Sequence, residues 1–360
     1  MCRVGKPVDS LLSFSILPTN IMIIQPNKAI QLLKSLFAGI DVGANELVLV
    51  IRKNGTSFKP QTFANTPADR KRLVKKLVGI PGIIVCLEAT GVYHFDLSVA
   101  LKDAGVALMV VNPKASHNFA KALMKNSKTD AVDAETLAQY AERMDFVAWT
   151  RPADEQIALR SFARRIDALT REKAATKNQL HALTASRETP KAVLRDAKLS
   201  ISQLEKRITR LSKEALVLIA KHAELGRVYL LLTGVKGIAD TSAIALMGEL
   251  LLLPQGLTNR EWVKFAGLDP RAHDSGKSIH KQARLSKAGN RHIRSALFMP
   301  AMSAKQHDPH VKAYFQHLLD NGKKPLQALC AVMRKLLHAI HGMLRDDTPF
   351  DNTRFYAIPA

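Results

Sequence analysis

Only three cysteines, Cys2, Cys86 and Cys330, occur in 360 residues, far apart and in no Cys-x-x-Cys or Cys/His spacing. This excludes a disulfide framework and a cysteine-based zinc site, and it points to a reducing, cytoplasmic setting. Long apolar runs are also missing. None reaches the roughly 18 residues that cross a bilayer, and Pro7 and Pro18 break up an opening segment that lacks a signal-peptide layout. No membrane partner is expected. Between about Glu155 and Glu224 there is no glycine and a single proline, Pro190, so long helices are expected there. Acid is in short supply as well: 31 Asp and Glu stand against 53 Lys and Arg, a net charge of +22. A field of that sign favours polyanions such as DNA or RNA.

With 47% hydrophobic residues the chain can build real cores, and its length suggests two or three domains. Residues 1–34 read as an irregular N-terminal extension, with Met22 an internal candidate start. From Leu36 the periodicities alternate. Ile40 lies in a first strand, Glu46 to Arg52 forms a second and Ser57 to Phe63 a third, with Asn54-Gly55 as the hairpin turn between the last two. A helix over Pro67 to Val78 follows, then a strand Ile83 to Leu87, a helix Tyr93 to Ala104 and a strand Val106 to Val111. Helices near Ser116 to Met124 and Ala131 to Arg143 complete the segment. Three strands in a meander, then helix, strand, helix, strand and helix, is the order of the ribonuclease H-like fold. Residues 35–150 are therefore expected to form an α/β domain of that type.

Residues 151–226 read as a helical, coiled-coil linker. Leu159, Phe162, Ile166, Leu169, Lys173, Thr176, Leu180 and Leu183 alternate three and four apart, as a heptad seam does. After a break at Thr189-Pro190 the spacing resumes at Ile201, Leu204, Ile208 and Leu211. An antiparallel helical hairpin and a dimerising coiled coil both fit. Residues 227–350 are expected to be a mainly α, basic domain, with Gly234 and Gly237 in a tight turn between two apolar helices. Residues 351–360 are expected to be a mobile tail.

Asp41, Glu88, Asp130 and Asp133 are the candidate metal ligands. Asp41 ends an apolar strand run, Glu88 ends another, and Asp130 and Asp133 share one helix face three residues apart. Singly each has an ordinary reading: a turn at Asp41 with Gly43, an ion pair at Glu88, a helix N-cap at Asp130-x-x-Asp133. Together, at equivalent edges of one sheet, they describe a carboxylate cage for Mg²⁺. Two such ions about 4 Å apart activate the attacking oxygen of a phosphodiester reaction and stabilise the leaving one. Lys128, beside the pair, could neutralise charge or touch phosphate.

The stretch Arg271 to Arg294 holds seven basic residues, three His and one acid in 24 positions. Arg271, Lys277, Lys281, Arg284, Lys287, Arg291 and Arg294 would grip a nucleic-acid backbone. Within it Ser275-Gly276 reads as a turn whose hydroxyl could reach a substrate. A serine attacks phosphorus only when metal, Arg or His stabilises the developing charge. Ser278 and Ser286 are equal competitors on composition.

Several motifs are similar to those of the insertion-sequence-110 family, the DEDD transposases. They are Gly39-Ile-Asp-Val-Gly43, Leu87-Glu-Ala-Thr-Gly-Val-Tyr93, Val111-Asn-Pro113, Lys128-Thr-Asp-Ala-Val-Asp-Ala134, Phe265-Ala-Gly-Leu-Asp-Pro270 and Leu285-Ser-Lys-Ala-Gly289. They run in order, and the resemblance covers essentially everything from residue 37 to about 351. The resemblance implies an N-terminal RuvC-like domain, a coiled-coil middle and a C-terminal transposase domain with a nucleophilic serine. The family's four acids fall on Asp41, Glu88, Asp130 and Asp133, and its serine on Ser275. It further implies a homo-oligomer, dimer or tetramer, in which domains of different subunits complete one site. A structured non-coding RNA encoded by the element would choose donor and target DNA. The function expected is metal-dependent strand cleavage and exchange through a serine-linked intermediate, in a prokaryotic, nucleoid-associated protein. The rivals are a junction-resolvase-like nuclease that uses water, and a nucleic-acid-binding protein without catalysis.

Overall fold

The computed structural model describes residues 36–89, 93–124, 129–254, 256–275 and 279–358, with only the backbone path for 272–275 and 279–283. The expected extension 1–34, Lys128, Lys277 and Ser278 lie outside the described residues. The chain forms two compact units, one ending at Arg151 and the other starting at Pro152.

The first unit is built on one sheet. Strand β1 (Leu36–Val42) pairs antiparallel with β2 (Glu46–Lys53), and the short strands β3 (Thr56–Ser57) and β4 (Gln61–Ala64) both pair with β2. On its other side β1 pairs in parallel with β5 (Ile84–Glu88), and β5 with β6 (Ala107–Val111). The order β3-β2-β1-β5-β6 is the one expected of a ribonuclease H-like sheet. Asn54 and Gly55 both have positive φ, as a two-residue hairpin turn requires. The third strand is not continuous from Ser57 to Phe63. It divides into β3 and β4 around Pro60, whose nitrogen has no hydrogen to give the ladder.

Helices cover both faces. Helix α1 (Pro67–Val78) is capped by Thr66, has Pro67 in its first turn, and buries Leu73 and Leu77 fully. Each such leucine contributes about 1.5–3 kcal/mol. Together with α2 (Phe95–Asp103) it packs on the face formed by Ala38, Ile40, Val42, Val85 and Leu87. The opposite face, with Phe37, Ile84, Cys86, Met109 and Val111, receives α4 (Asp130–Arg143). Helix α3 (Pro113–Ala122) starts directly after β6, with Asn112 accepting from the Lys114 amide at 2.8 Å.

The second unit is mostly helical. Helices α5 (Asp154–Ala185) and α6 (Lys191–Lys221) form an antiparallel hairpin, as ion pairs from Lys173 and Lys177 to Glu205 show. Where they meet the rest of the unit, Leu159, Ala163 and Ile166 on α5 and Ala215 and Ile219 on α6 join a core shared with seven later helices. These are α7 (Ala223–Thr233), α8 (Asp240–Leu250), α9 (Asn259–Ala266), α10 (Arg291–His307), α11 (Pro309–Asp320), α12 (Pro325–Asp346) and the short α13 (Asn352–Phe355). Gly237, in the turn between α7 and α8, has φ +97°, and a Cβ there would lie 2.7 Å from the Pro300 carbonyl oxygen. The turn expected at Gly234 and Gly237 is thus also a packing contact.

This half is mainly helical, as expected. It is not purely helical, because β7 (Pro270–Ser275) and β8 (Ile279–Leu285) pair as an antiparallel hairpin. Nor do residues 351–360 begin as a mobile tail: Phe355 is 3% exposed and packs edge-on against Tyr314.

Candidate active site

The register of the sheet places the acids. Gly39 pairs with Cys86 and Ile40 with Leu87 across the parallel β1/β5 ladder, so Asp41 and Glu88 reach the same carboxyl-terminal edge. Side chains alternate along a strand, and Phe37 and Asp41 share one face while Ile84, Cys86 and Glu88 share the matching one. Both acids therefore lie on the face covered by α4, whose first turn carries Asp130 and Asp133. Carboxyl ends of parallel strands are where open α/β sheets place ligands.

Gly39 makes this juxtaposition possible. A Cβ at Gly39 would lie 1.9 Å from the Ala134 carbonyl oxygen and 2.3 Å from the Ala138 amide nitrogen, so α4 rests directly on the backbone of β1. Arg52 braces the same helix from β2. It is 6% exposed, donates to Glu142 Oε2 at 3.1 Å, to Ser57 Oγ at 2.6 Å and to the Gly55 carbonyl at 2.7 Å. Thr129 caps the helix, accepting from the Val132 amide at 3.3 Å. An N-terminus of this kind tolerates acids well.

The electrostatics report the crowding. Half-buried Asp41 has its carboxyl raised to about 6, first by burial and then by the charges of Asp130, Asp133 and Glu88. Burial pushes the Cys86 thiol, on the same face, well above its ordinary range, and Glu88 adds to it. Glu88 accepts from Ser116 Oγ at 2.5 Å, and Ser116 is 6% exposed on α3. Among the described residues no three acidic, His or Cys side chains stand together as a ready metal-ligand group. The charges of Asp130, Asp133 and Glu88 nonetheless reach Asp41 and help to raise it.

Ser116 was not among the sequence candidates. Its signal was Asn112-Pro113, which starts α3 three residues before the expected Ser116 and so sets Ser116 in the first turn, facing Glu88. Gly39 was visible only as part of a motif.

In the second unit the structure roots the β7/β8 hairpin by close packing. Gly267 ends α9 with φ +64°, and a Cβ at Gly289 would lie 2.3 Å from the Phe265 carbonyl oxygen and 2.7 Å from the Gly267 amide nitrogen. The two glycine motifs therefore meet. Ser286 Oγ donates to Asp269, which binds this competing serine into the root. Asn290 caps α10 and donates to Glu249 Oε2 at 2.6 Å, while Arg164 donates to both oxygens of Glu249 at 2.8 and 3.3 Å. Burial alone would raise the Glu249 carboxyl, but the bonds from Arg164 and Asn290 overcome it and hold it low.

Ser275 ends β7, its backbone paired with Ile279, so it borders the hairpin connection instead of lying within a turn. Lys281 lies on β8, paired with His273. Arg271 and Arg284 are exposed and stand directly opposite across the ladder, a like-charge pair that a polyanion would relieve. Lys287 and Arg291 are exposed. Arg294 is used differently from expectation: it turns inward, donating to the Ala266 carbonyl at 2.7 Å and the Gly289 carbonyl at 3.2 Å, and braces the root.

Comparison with known proteins gives two family matches along the chain, the first reaching past Arg151 into the second unit. Residues 38–186 match the DEDD transposases of the IS110 type, and residues 229–316 match the transposase IS116/IS110/IS902 family. A pilin gene-inverting protein of Moraxella bovis is 30% identical over 266 residues, covering 74% of this chain and 81% of its own. That of Moraxella lacunata is 30% identical over 269 residues, with the same two shares. A probable family 20 transposase of Pseudomonas aeruginosa is 27% identical over 246 residues, 61% of this chain and 70% of its own. Among solved structures, RuvC of Thermus thermophilus aligns over 30% of this chain and 95% of its own, at 17% identity and a TM-score of 0.24. The chain belongs to the IS110 family of transposases. It is an enzyme, a DNA transposase or recombinase, and its substrates are DNA. Among the described residues no helix is long and apolar enough to cross a membrane.

Proposed function

We propose that this transposase cuts and rejoins DNA strands with Asp41, Glu88, Asp130 and Asp133 as ligands of divalent metal, Mg²⁺ in a two-ion site, and Ser275 as the nucleophile. The observation that carries the reading is the elevated carboxyl of Asp41, produced by burial and three neighbouring acids at one sheet edge. An all-oxygen donor set suits a hard cation, which when bound supplies charge neutralisation at a phosphate. Ser116 orients Glu88, and Gly39 sets how near α4 brings Asp130 and Asp133.

In the covalent step the Oγ–P bond forms at Ser275 as the P–O3′ bond breaks, and the serine proton ends on the departing 3′ oxygen. The phosphodiester energy is kept in the phosphoserine link, so reversal rejoins strands without ATP. Arg271, Arg284, Lys287 and Arg291, with Lys128, Lys277 and Lys281, would hold backbone phosphates. Family membership supports the remaining parts: a homo-oligomer, an element-encoded guide RNA, and work on the nucleoid in the cytoplasm.

The test is incubation of the protein with DNA carrying its element's ends, the element's non-coding RNA and Mg²⁺, resolved on denaturing gels. A band freed only by protease is expected, and Ser275→Ala should lose it while still binding DNA. Protein-free products from the wild type would establish water as the nucleophile, and an adduct persisting in Ser275→Ala would place the link elsewhere.

A further inference from the structure

Helix α6 presents a face that none of the chemistry above uses. Lys191, Arg195, Lys198, Ser202, Lys206, Thr209, Arg210 and Lys213 are all exposed. At 3.6 residues per turn they fall within roughly 60° of one line along the helix. The buried residues Ala197, Leu204 and Ala215 lie on the opposite side. The acids of α6 keep off this line: Asp196, Glu205 and Glu214 fall roughly 80–100° away, at its borders. Glu205 is engaged by Lys173 and Lys177 of α5, and Glu214 by Arg210. Among the described residues Lys191, Arg195, Lys198, Lys206 and Lys213 make no ion pair.

A charged helix face is ordinarily just solvated, and it then mixes signs. This face carries six cations and two hydroxyls with no acid among them. Keeping like charges together at i, i+3 and i, i+4 costs helix stability, so the arrangement suits a surface that meets a polyanion. From Lys191 to Lys213 the stripe runs about 33 Å at 1.5 Å per residue. That is about one turn of B-form DNA, roughly 34 Å.

We infer that the outward face of α6 is a second DNA-binding surface, which grips the duplex backbone without reading sequence. Hydroxyls of Ser202 and Thr209 between the cations suit phosphate oxygens, as such side chains commonly do in backbone contacts. This rests on the chain acting on DNA and not on the metal or serine chemistry.

The test measures affinity of the full chain for a 30-bp duplex of arbitrary sequence across a salt series in EDTA, so strand cleavage plays no part. The variant combines Arg195→Gln, Lys198→Gln, Lys206→Gln and Lys213→Gln. It should bind roughly tenfold or more weakly, with a log–log salt slope about 3–4 shallower than wild type. A control with the same charge loss takes four arginines already matched to acids, Arg72, Arg227, Arg345 and Arg354, to Gln. It should lose far less. Should the fourfold variant fail to fold by circular dichroism, the Arg195/Lys198 and Lys206/Lys213 pairs changed separately should each lower the slope by about half as much. Wild-type affinity and slope in the α6 variants, or an equal loss in the control, would overturn the inference. So would a loss confined to an RNA duplex of the same length.

Discussion

A side chain at Gly39 would strike the carbonyl oxygen of Ala134: the two stand so close that a Cβ has 1.9 Å where it needs more than 3 Å. The nearness of strand and helix that this contact sets is what brings Asp130 and Asp133 to the edge where Asp41 and Glu88 end their strands.

Gly39→Ala should therefore act on stability and on the site together. Overpacking of this kind costs about 1–3 kcal/mol, read by urea unfolding. Because α4 must lift away from β1, divalent-metal binding should weaken by more than the stability loss accounts for, as titration calorimetry would show. Unchanged metal affinity would mean that α4 does not set the site.

The pH behaviour of Asp41 follows from its raised carboxyl. Protonation favours the folded protein, so the stability it contributes is present below about pH 4 and is lost as the pH rises through about 6. Metal-free protein should lose thermal stability across that window, and Asp41→Asn should flatten the loss. Added Mg²⁺ should raise the melting temperature more at pH 8 than at pH 5, since at the lower value a proton competes for the site.

Glu249 shows the opposite sign. Its carboxyl is held low, so its stabilisation is present above about pH 4.5 and disappears as the pH falls through its folded value. Glu249→Ala leaves Arg164 and Asn290 without their shared partner and should cost about 2–4 kcal/mol. Partial exposure of Arg164 keeps the figure below that of a fully buried pair. Chemical denaturation at pH 7 would measure it, and a loss below about 0.5 kcal/mol would make the network incidental.

Phe355→Ala should cost about 3 kcal/mol, the usual penalty for emptying a buried aromatic position. Truncation before Asp351 should cost at least as much, by thermal unfolding. Equal stability of the truncated and full chains would return 351–360 to the status of a tail.

How much of this was legible beforehand depends on distance along the chain. The first sheet could be read because each strand announces itself locally: Asn54-Gly55 fixes one hairpin, and Ile83 to Leu87 is apolar on both faces. The break at Pro60 was a local signal passed over. The hairpin holding Ser275 was missed because its residues are mostly polar and lack an apolar alternation, and pairing depends on a root that joins Gly267 to Gly289 from separate segments. Arg294 illustrates the same limit. Composition counts it as one more cation for phosphate, and only the packed root shows that two carbonyls already occupy it. Ser116 and Glu249 matter through partners 28 and 41 residues away, beyond any periodicity.

The long hairpin of α5 and α6 has a further consequence. The buried residues of α5 end at Leu169, and from there to about Ile208 on α6 the two helices pack chiefly on each other. An arm of that kind can change length without disturbing the core at its base. Adding or removing two helical turns in each helix keeps the packed faces in phase and moves the tip by about 10 Å. Evolution could in this way adjust reach as a variable separate from chemistry.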